Sequence, residues 1–242
     1  LGNHTRVNED HWDDSTPLWR YMDVYGFLSL ITGEKLKFTS LSEFEDGFEG
    51  RMPLQNEVTL SLDFTDMSQS FARPVSEIDD LRNRLEAVRK NTWVTSWQQL
   101  DSECSLMWRV YGSRQNGVAI KTTAGNLLGA LDSDYNYIAG PVQYINYAKE
   151  KVPDETDVSF SFHKQHGYFA EQEFRVAVTD TEQSSVDKPK LIGLDLSKAL
   201  ERVVISPWAG EWQLEALKRV VESLGIEPRL VRHSSIMKVG EK

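Results

Sequence analysis

Residues 170–176 read AEQEFRV, and the alternation runs on through Ala177 and Val178. In a strand, residues two apart share a face, so Glu171, Glu173 and Arg175 are expected to project together. Phe174, Val176 and Val178 then fall on the opposite face and can pack a core. Two carboxylates on one face repel each other unless a cation or a substrate sits beside them. The plain alternative is a solvent-facing strand with a Glu–Arg ladder.

Similar strand patterns lie on both sides of this segment. Upstream, PLWRYM (17–22), LKFTS (36–40), WVTSW (93–97), GVAIK (117–121) and PVQYINY (141–147) read as strands, and downstream KLIGLDL (190–196) and RVVISP (202–207) do. Helices are interleaved with them. Asp23 suits an N-cap for Val24, Phe27, Leu28 and Ile31, with Gly33 as the stop. Ser76 heads EIDDLRNRLEAVRKN, Ser102 is placed to cap a helix through Trp108, and Thr123 begins a short helix ending near Leu131. EWQLEALKRVVESLG followed by PRLVRHSS completes a strand–helix–strand crossover. TDTEQSSVDKPK (179–190) reads as a hairpin loop, and 54–75 is ambiguous. The polar residues 1–16 read as a flexible arm, which leaves 17–242 as a single α+β domain.

Composition limits the chemistry. The chain has 242 residues, with 27 Lys plus Arg against 37 Asp plus Glu, a net charge of −10. An acidic surface disfavours general phosphate-backbone binding, although it leaves room for a local basic cleft. Cys104 is the single cysteine, so an intrachain disulfide and a Cys-rich zinc site are excluded. His163 and His166 could share a helical face, but no metal-binding motif stands out, and metal-free chemistry is expected. No GxGxxG, GxxxxGK[ST] or GxSxG motif occurs. No apolar run approaches the roughly 18 residues of a membrane span, so no membrane partner and a cytoplasmic location are expected.

With Glu171 and Glu173 in place, Arg20 in LWRYM and Thr95-Ser96 in VTSW complete an ordered set on separate strands. The order Arg, Ser, Glu-x-Glu resembles the R-S-E class of ADP-ribosyltransferases. That resemblance implies a split, bent β-sheet holding NAD in a cleft. The first Ser of the usual Ser-Thr-Ser motif is replaced here by Val94. Over about residues 17–236 the chain is also similar to the bacterial domain-of-unknown-function family 2971. The matching pieces are LWRY (18–21), LKFTSLSEFEDGFEG (36–50), MWRVYG (107–112), GVAI (117–120) and AEQEFRV (170–176). Asp46-Gly47-Phe48 stands where that family usually has Asp-Pro-Phe. Members of the family resemble parts of phage-defence and toxin-like systems.

These resemblances imply NAD as a substrate and an unknown protein or nucleic-acid acceptor, or water. Glu173 is expected to hold the ribose and steady developing positive charge. Ser96, beside Thr95, supports it, while Glu171 orients or deprotonates the acceptor. Arg20 suits a phosphate or ribose oxygen. Tyr21, Phe38 and Tyr111 are candidates for an aromatic wall against nicotinamide. Phe38, Trp108 and Tyr111 could equally be core, and Arg20 could pair with Glu173 or Asp23. Asp46 and Glu49 either order their loop or face the cleft. A non-catalytic nucleotide- or protein-binding module of the same fold is the alternative.

Overall fold

A computed structural model describes residues 4–44, 47–53, 56, 75–152, 157–180 and 188–236. Among the described residues there are twelve strands: β1 (His4–Arg6), β2 (Pro17–Asp23), β3 (Lys35–Ser40), β4 (Thr92–Gln99), β5 (Gly117–Thr123), β6 (Tyr137–Pro141), β7 (Gln143–Ile145), β8 (His163–Gln165), β9 (Glu173–Thr179), β10 (Lys190–Gly193), β11 (Arg202–Ile205) and β12 (Val231–His233). The helices are α1 (Val24–Gly33), α2 (Val75–Lys90), α3 (Ser105–Val110), α4 (Ala124–Ala130), α5 (Leu196–Ala199) and α6 (Glu211–Ser223). The main sheet is mixed, in the order β1-β6-β9-β4-β2-β5-β11-β12, and β3 joins it with β10 on its far side.

The sheet forks at β4. On one edge β4 pairs with β9 over seven residue pairs. Its other edge is shared. β3 takes Trp93 and Val94, while β2 takes Gln98 and Gln99. On its other edge β2 pairs with β5 over seven pairs, and from Arg20 onward it leaves β4 behind. The two halves of the sheet therefore separate beside Thr95 and Ser96.

One face of the fork buries the main core. Leu18, Phe38, Trp93, Trp97, Phe174, Val176 and Val178 meet there, with Phe27 and Ile31 of α1. The alternation read for β9 is thus observed from Glu173 onward. Leucine- and isoleucine-sized side chains contribute about 1.5–3 kcal/mol each when fully buried, so this face supplies most of the adhesion between the sheet and its helices. Asp23 caps α1 by accepting from the Gly26 N–H at 2.7 Å, and Thr123 caps α4 in the same way through Asn126. The crossover β11–α6–β12 closes in parallel.

Several expectations change. Residues 4–16 are tied to the body rather than loose. β1 runs parallel to β6, the Val7 N–H donates to the Ala139 carbonyl at 2.9 Å, and Trp12 packs edge-on against Phe174 with centroids 4.9 Å apart. A Cβ on Gly140 would stand 2.2 Å from the Val7 carbonyl oxygen, so the close approach of the segment requires glycine there. The left-handed residue that ends α1 is Glu34, at φ 48°, not Gly33. Cys104, not Ser102, precedes α3. The stretch 141–147 breaks into the end of β6 and the short β7. β10 pairs with β3, and residues 181–187 of the expected hairpin loop lie outside the described residues. Asp46 and most of 54–75 fall outside the described residues.

Candidate active site

The fork opens into a cleft of about 540 Å³, within the size range of small-molecule sites. Arg20, Ser96, Glu171 and Glu173 all line it, as do Tyr21 and Tyr111. The sequence-derived set therefore converges on one place, with two changes. Phe38 does not reach the cleft. It is fully buried in the main core, 6.4 Å from the Tyr137 ring, because β3 turns that face of its alternation inward. Thr95 is also buried, and its hydroxyl meets the cleft set indirectly, as acceptor for Arg20.

Arg20 sits where β2 and β4 part. Its Nη1 donates to the Thr95 hydroxyl and to the Ser96 carbonyl oxygen, the latter at 3.2 Å. Its guanidinium carbon lies 5.8 Å from the centre of the Trp97 ring. Among the described residues it forms no salt bridge with Glu173, Asp23 or any other carboxylate. Burial pulls its pKa down to about 10. A desolvated cation without a counter-ion is costly to hold, and such a position suits an anionic ligand.

Glu173 is the first residue of β9, and its backbone N–H donates to the Tyr144 hydroxyl at 2.8 Å. Its side chain has two cations. Arg175 Nε donates to Oε1 at 2.5 Å and Nη2 to Oε2 at 3.1 Å, while Lys164 Nζ reaches Oε2 at 3.3 Å. Burial alone would raise the Glu173 pKa. Arg175 and Lys164 outweigh it and hold the carboxyl at about 2. The same carboxylates raise Lys164 and Arg175, again against burial.

Glu171 arrives by a different route from the one expected. It ends a 3₁₀ turn (His166–Glu171), and Gln172 takes a left-handed φ of 42° before β9 begins. The two glutamates are not successive members of one strand face, yet the kink still brings Glu171 to the cleft. Tyr111 donates to its Oε1 at 2.8 Å and Lys164 to its Oε2 at 2.7 Å. Burial and Glu171 together push the Tyr111 phenol well above its ordinary pKa. Tyr21 lines the cleft as well. It packs edge-on against Trp108 at 5.0 Å, and its hydroxyl accepts from the Cys104 N–H at 2.8 Å. Trp108 is core, fully buried.

Two further members complete the site: Lys164, which the sequence did not single out, and Glu49, for which the cleft-facing reading was one of two. Lys164, on β8, bridges Glu49, Glu171 and Glu173 at 3.1, 2.7 and 3.3 Å. Its segment HKQHG is polar and short, so only the tertiary contacts reveal it. Glu49 faces the cleft and is completely buried. Its Oε2 accepts from Arg175 Nη2 at 2.7 Å. Burial and Glu173 raise the Glu49 pKa, against Arg175 and Lys164. His163 and His166 do not share a helical face: His163 lies on β8 and His166 opens the 3₁₀ turn, stacked on Phe169. Among the described residues no His, Cys, Asp and Glu group is arranged to hold a metal ion, and no helix is long and apolar enough to cross a membrane.

No protein-family model matches the chain, and neither does any curated protein. Among solved structures, DarT from Thermus sp. 2.9 is similar. Its complex with NAD+ matches at 6% identity and a TM-score of 0.44, covering 92% of this chain and 96% of that one. The carba-NAD+ complex matches at 7% identity and 0.42, covering 92% and 97%. The complex with ADP-ribosylated ssDNA matches at 7% and 0.41, covering 91% and 98%. At TM-scores below 0.5 these structures fix nothing about this chain's site, which is read from its own residues.

Proposed function

We propose that the cleft binds NAD and breaks the bond between nicotinamide and ribose, passing ADP-ribose to a macromolecular acceptor or to water. The observation that carries this reading is the convergence of Arg20, Ser96, Glu171 and Glu173 at the fork of the sheet. The leaving group is already a cationic pyridinium, so the reaction calls for no general acid. It calls for a fixed negative charge beside the ribose as the oxocarbenium-like state develops. Glu173, ionised and held by hydrogen bonds, suits that role. Arg20 takes a phosphate oxygen, and Glu171 orients the incoming acceptor. Tyr21 and Tyr111 flank the nicotinamide. The resemblance of the motif order to the R-S-E ADP-ribosyltransferases supports the same reading, and a place in a bacterial defence or toxin-like system rests on the resemblance to family 2971 alone.

One observation favours the non-catalytic alternative. Both oxygens of Glu173 are engaged by Arg175 and Lys164, which offset the charge that the reaction would use. A binding module of this kind raises its melting temperature with NAD and releases no product. The deciding experiment incubates the protein with NAD and follows nicotinamide, with Glu173→Gln alongside. Release by the wild type and its loss in the variant support the enzyme. Stabilisation by NAD with no release from either protein supports the binding module.

A further inference from the structure

Gln98 is completely buried, and it lines the cleft. Neither its Oε1 nor its Nε2 has a hydrogen-bond partner among the described residues. Most buried polar side-chain atoms are paired, and an unpaired one points to a role beyond folding. Here the unpaired group is a whole amide, with one accepting and one donating side whichever way it is turned. Across the sheet Gln98 stands between Trp19 of β2 and Glu173 of β9, in register with both. The Trp19 indole N–H is also buried, also lines the cleft, and also lacks a partner. Two donors and one acceptor are thus presented beside the carboxylate assigned to the ribose.

We infer that Gln98 and Trp19 form a carboxamide-reading subsite that makes the site specific for the nicotinamide form of the dinucleotide. This rests on the NAD reading and deepens it. The substrate amide N–H donates to Gln98 Oε1. Its carbonyl oxygen accepts from Gln98 Nε2 or from Trp19 Nε1. A nicotinic acid ring brings a carboxylate instead. It has no N–H for Gln98 Oε1 and places a second negative charge next to Glu173. A site built around buried hydrogen-bonding groups rejects the analogue that cannot pair them far more strongly than an apolar pocket would. The Gln98 amide is sealed from water in the free protein, so ligand entry requires a wall side chain to swing. Met107, unbranched and also lining the cleft, suits that movement.

The test compares NAD with nicotinic acid adenine dinucleotide as substrates, and nicotinamide with nicotinic acid as ligands in thermal shift. ADP-ribose serves as the control ligand. Wild-type protein is expected to prefer NAD at least tenfold in kcat/KM, or, without turnover, to be stabilised by nicotinamide and not by nicotinic acid. Gln98→Met keeps the length of the side chain and removes both polar atoms. It should lose the discrimination while ADP-ribose still stabilises it. Equal treatment of the two pyridines by the wild type overturns the subsite and leaves the NAD reading standing. Unchanged discrimination in Gln98→Met also overturns it. Failure of NAD, ADP-ribose and nicotinamide alike to bind overturns both. Should Gln98→Met not fold, the two pyridines on the wild type still decide.

Discussion

Replacing Arg175 by Met tests whether the buried ion cluster holds the cleft together. Arg175 is completely buried and touches Glu49, Glu173 and the Ser161 carbonyl oxygen. Methionine fills part of its volume without charge. Glu49 and Glu173 would then share Lys164 as their remaining cation among the described residues. Removing one partner of a buried pair costs about 3–5 kcal/mol. An independent figure comes from Glu173. Its carboxyl lies at about 2 instead of 4.5, which corresponds to on the order of 3 kcal/mol of stability at neutral pH. The Glu173 figure belongs to Arg175 and Lys164 together; for a chain of this length a loss of about 3–5 kcal/mol lowers the melting temperature by roughly 6–20 °C. The pH dependence has a definite sign. A carboxyl with a depressed folded pKa stabilises above its unfolded pKa and loses that contribution as pH falls toward the folded value. The difference between wild type and Arg175→Met in urea unfolding should therefore be full at pH 7 and shrink between pH 5 and 3. A loss below about 1 kcal/mol at pH 7, well under the cost of breaking a buried pair, refutes the reasoning. So does a loss that stays constant down to pH 3.

Other outcomes follow from individual contacts. Arg20→Met removes a half-buried cation with no carboxylate partner among the described residues, so urea unfolding should show stability unchanged or raised. Binding of ADP-ribose, followed by calorimetry, should weaken about 10–100-fold through the lost charge-assisted hydrogen bonds. Gly140→Ala places a methyl against the Val7 carbonyl. It should cost about 1–3 kcal/mol and unseat the segment carrying Trp12, read as a red shift in tryptophan fluorescence. Glu34→Gly relieves a left-handed conformation at the end of α1 and should stabilise the protein by about 1 kcal/mol, measured by thermal unfolding.

Much of the site could be read in the sequence because strands carry their faces with them. Period-2 alternation placed Glu173 and Arg175 opposite Phe174 and Val176, and the helix caps Asp23 and Thr123 were visible from local chemistry. The same alternation could not say which face of β3 met the cleft, so Phe38 was as good a candidate for the wall as for the core. Glu171 reaches the site through a left-handed Gln172, a backbone choice that residue type does not announce. Lys164 lies on a three-residue strand, and its importance comes entirely from contacts with Glu49, Glu171 and Glu173, distant in sequence or beyond a turn. The N-terminal segment is held by main-chain hydrogen bonds that any side chains would allow. Val7 and Trp12 were the apolar signs that it was tethered.

The fork at β4 also has a mechanical consequence. β2 and β3 are each fastened to that strand by two residue pairs, at opposite ends, so the sheet is joined there as if by two small hinges. The cleft between them can widen or narrow with little loss of ladder bonding. A ligand bridging Arg20 and Glu173 would lock those hinges together. Its arrival should register as slowed amide exchange at Leu18, Trp19, Thr39 and Ser40, a mark of occupancy independent of any chemistry in the cleft.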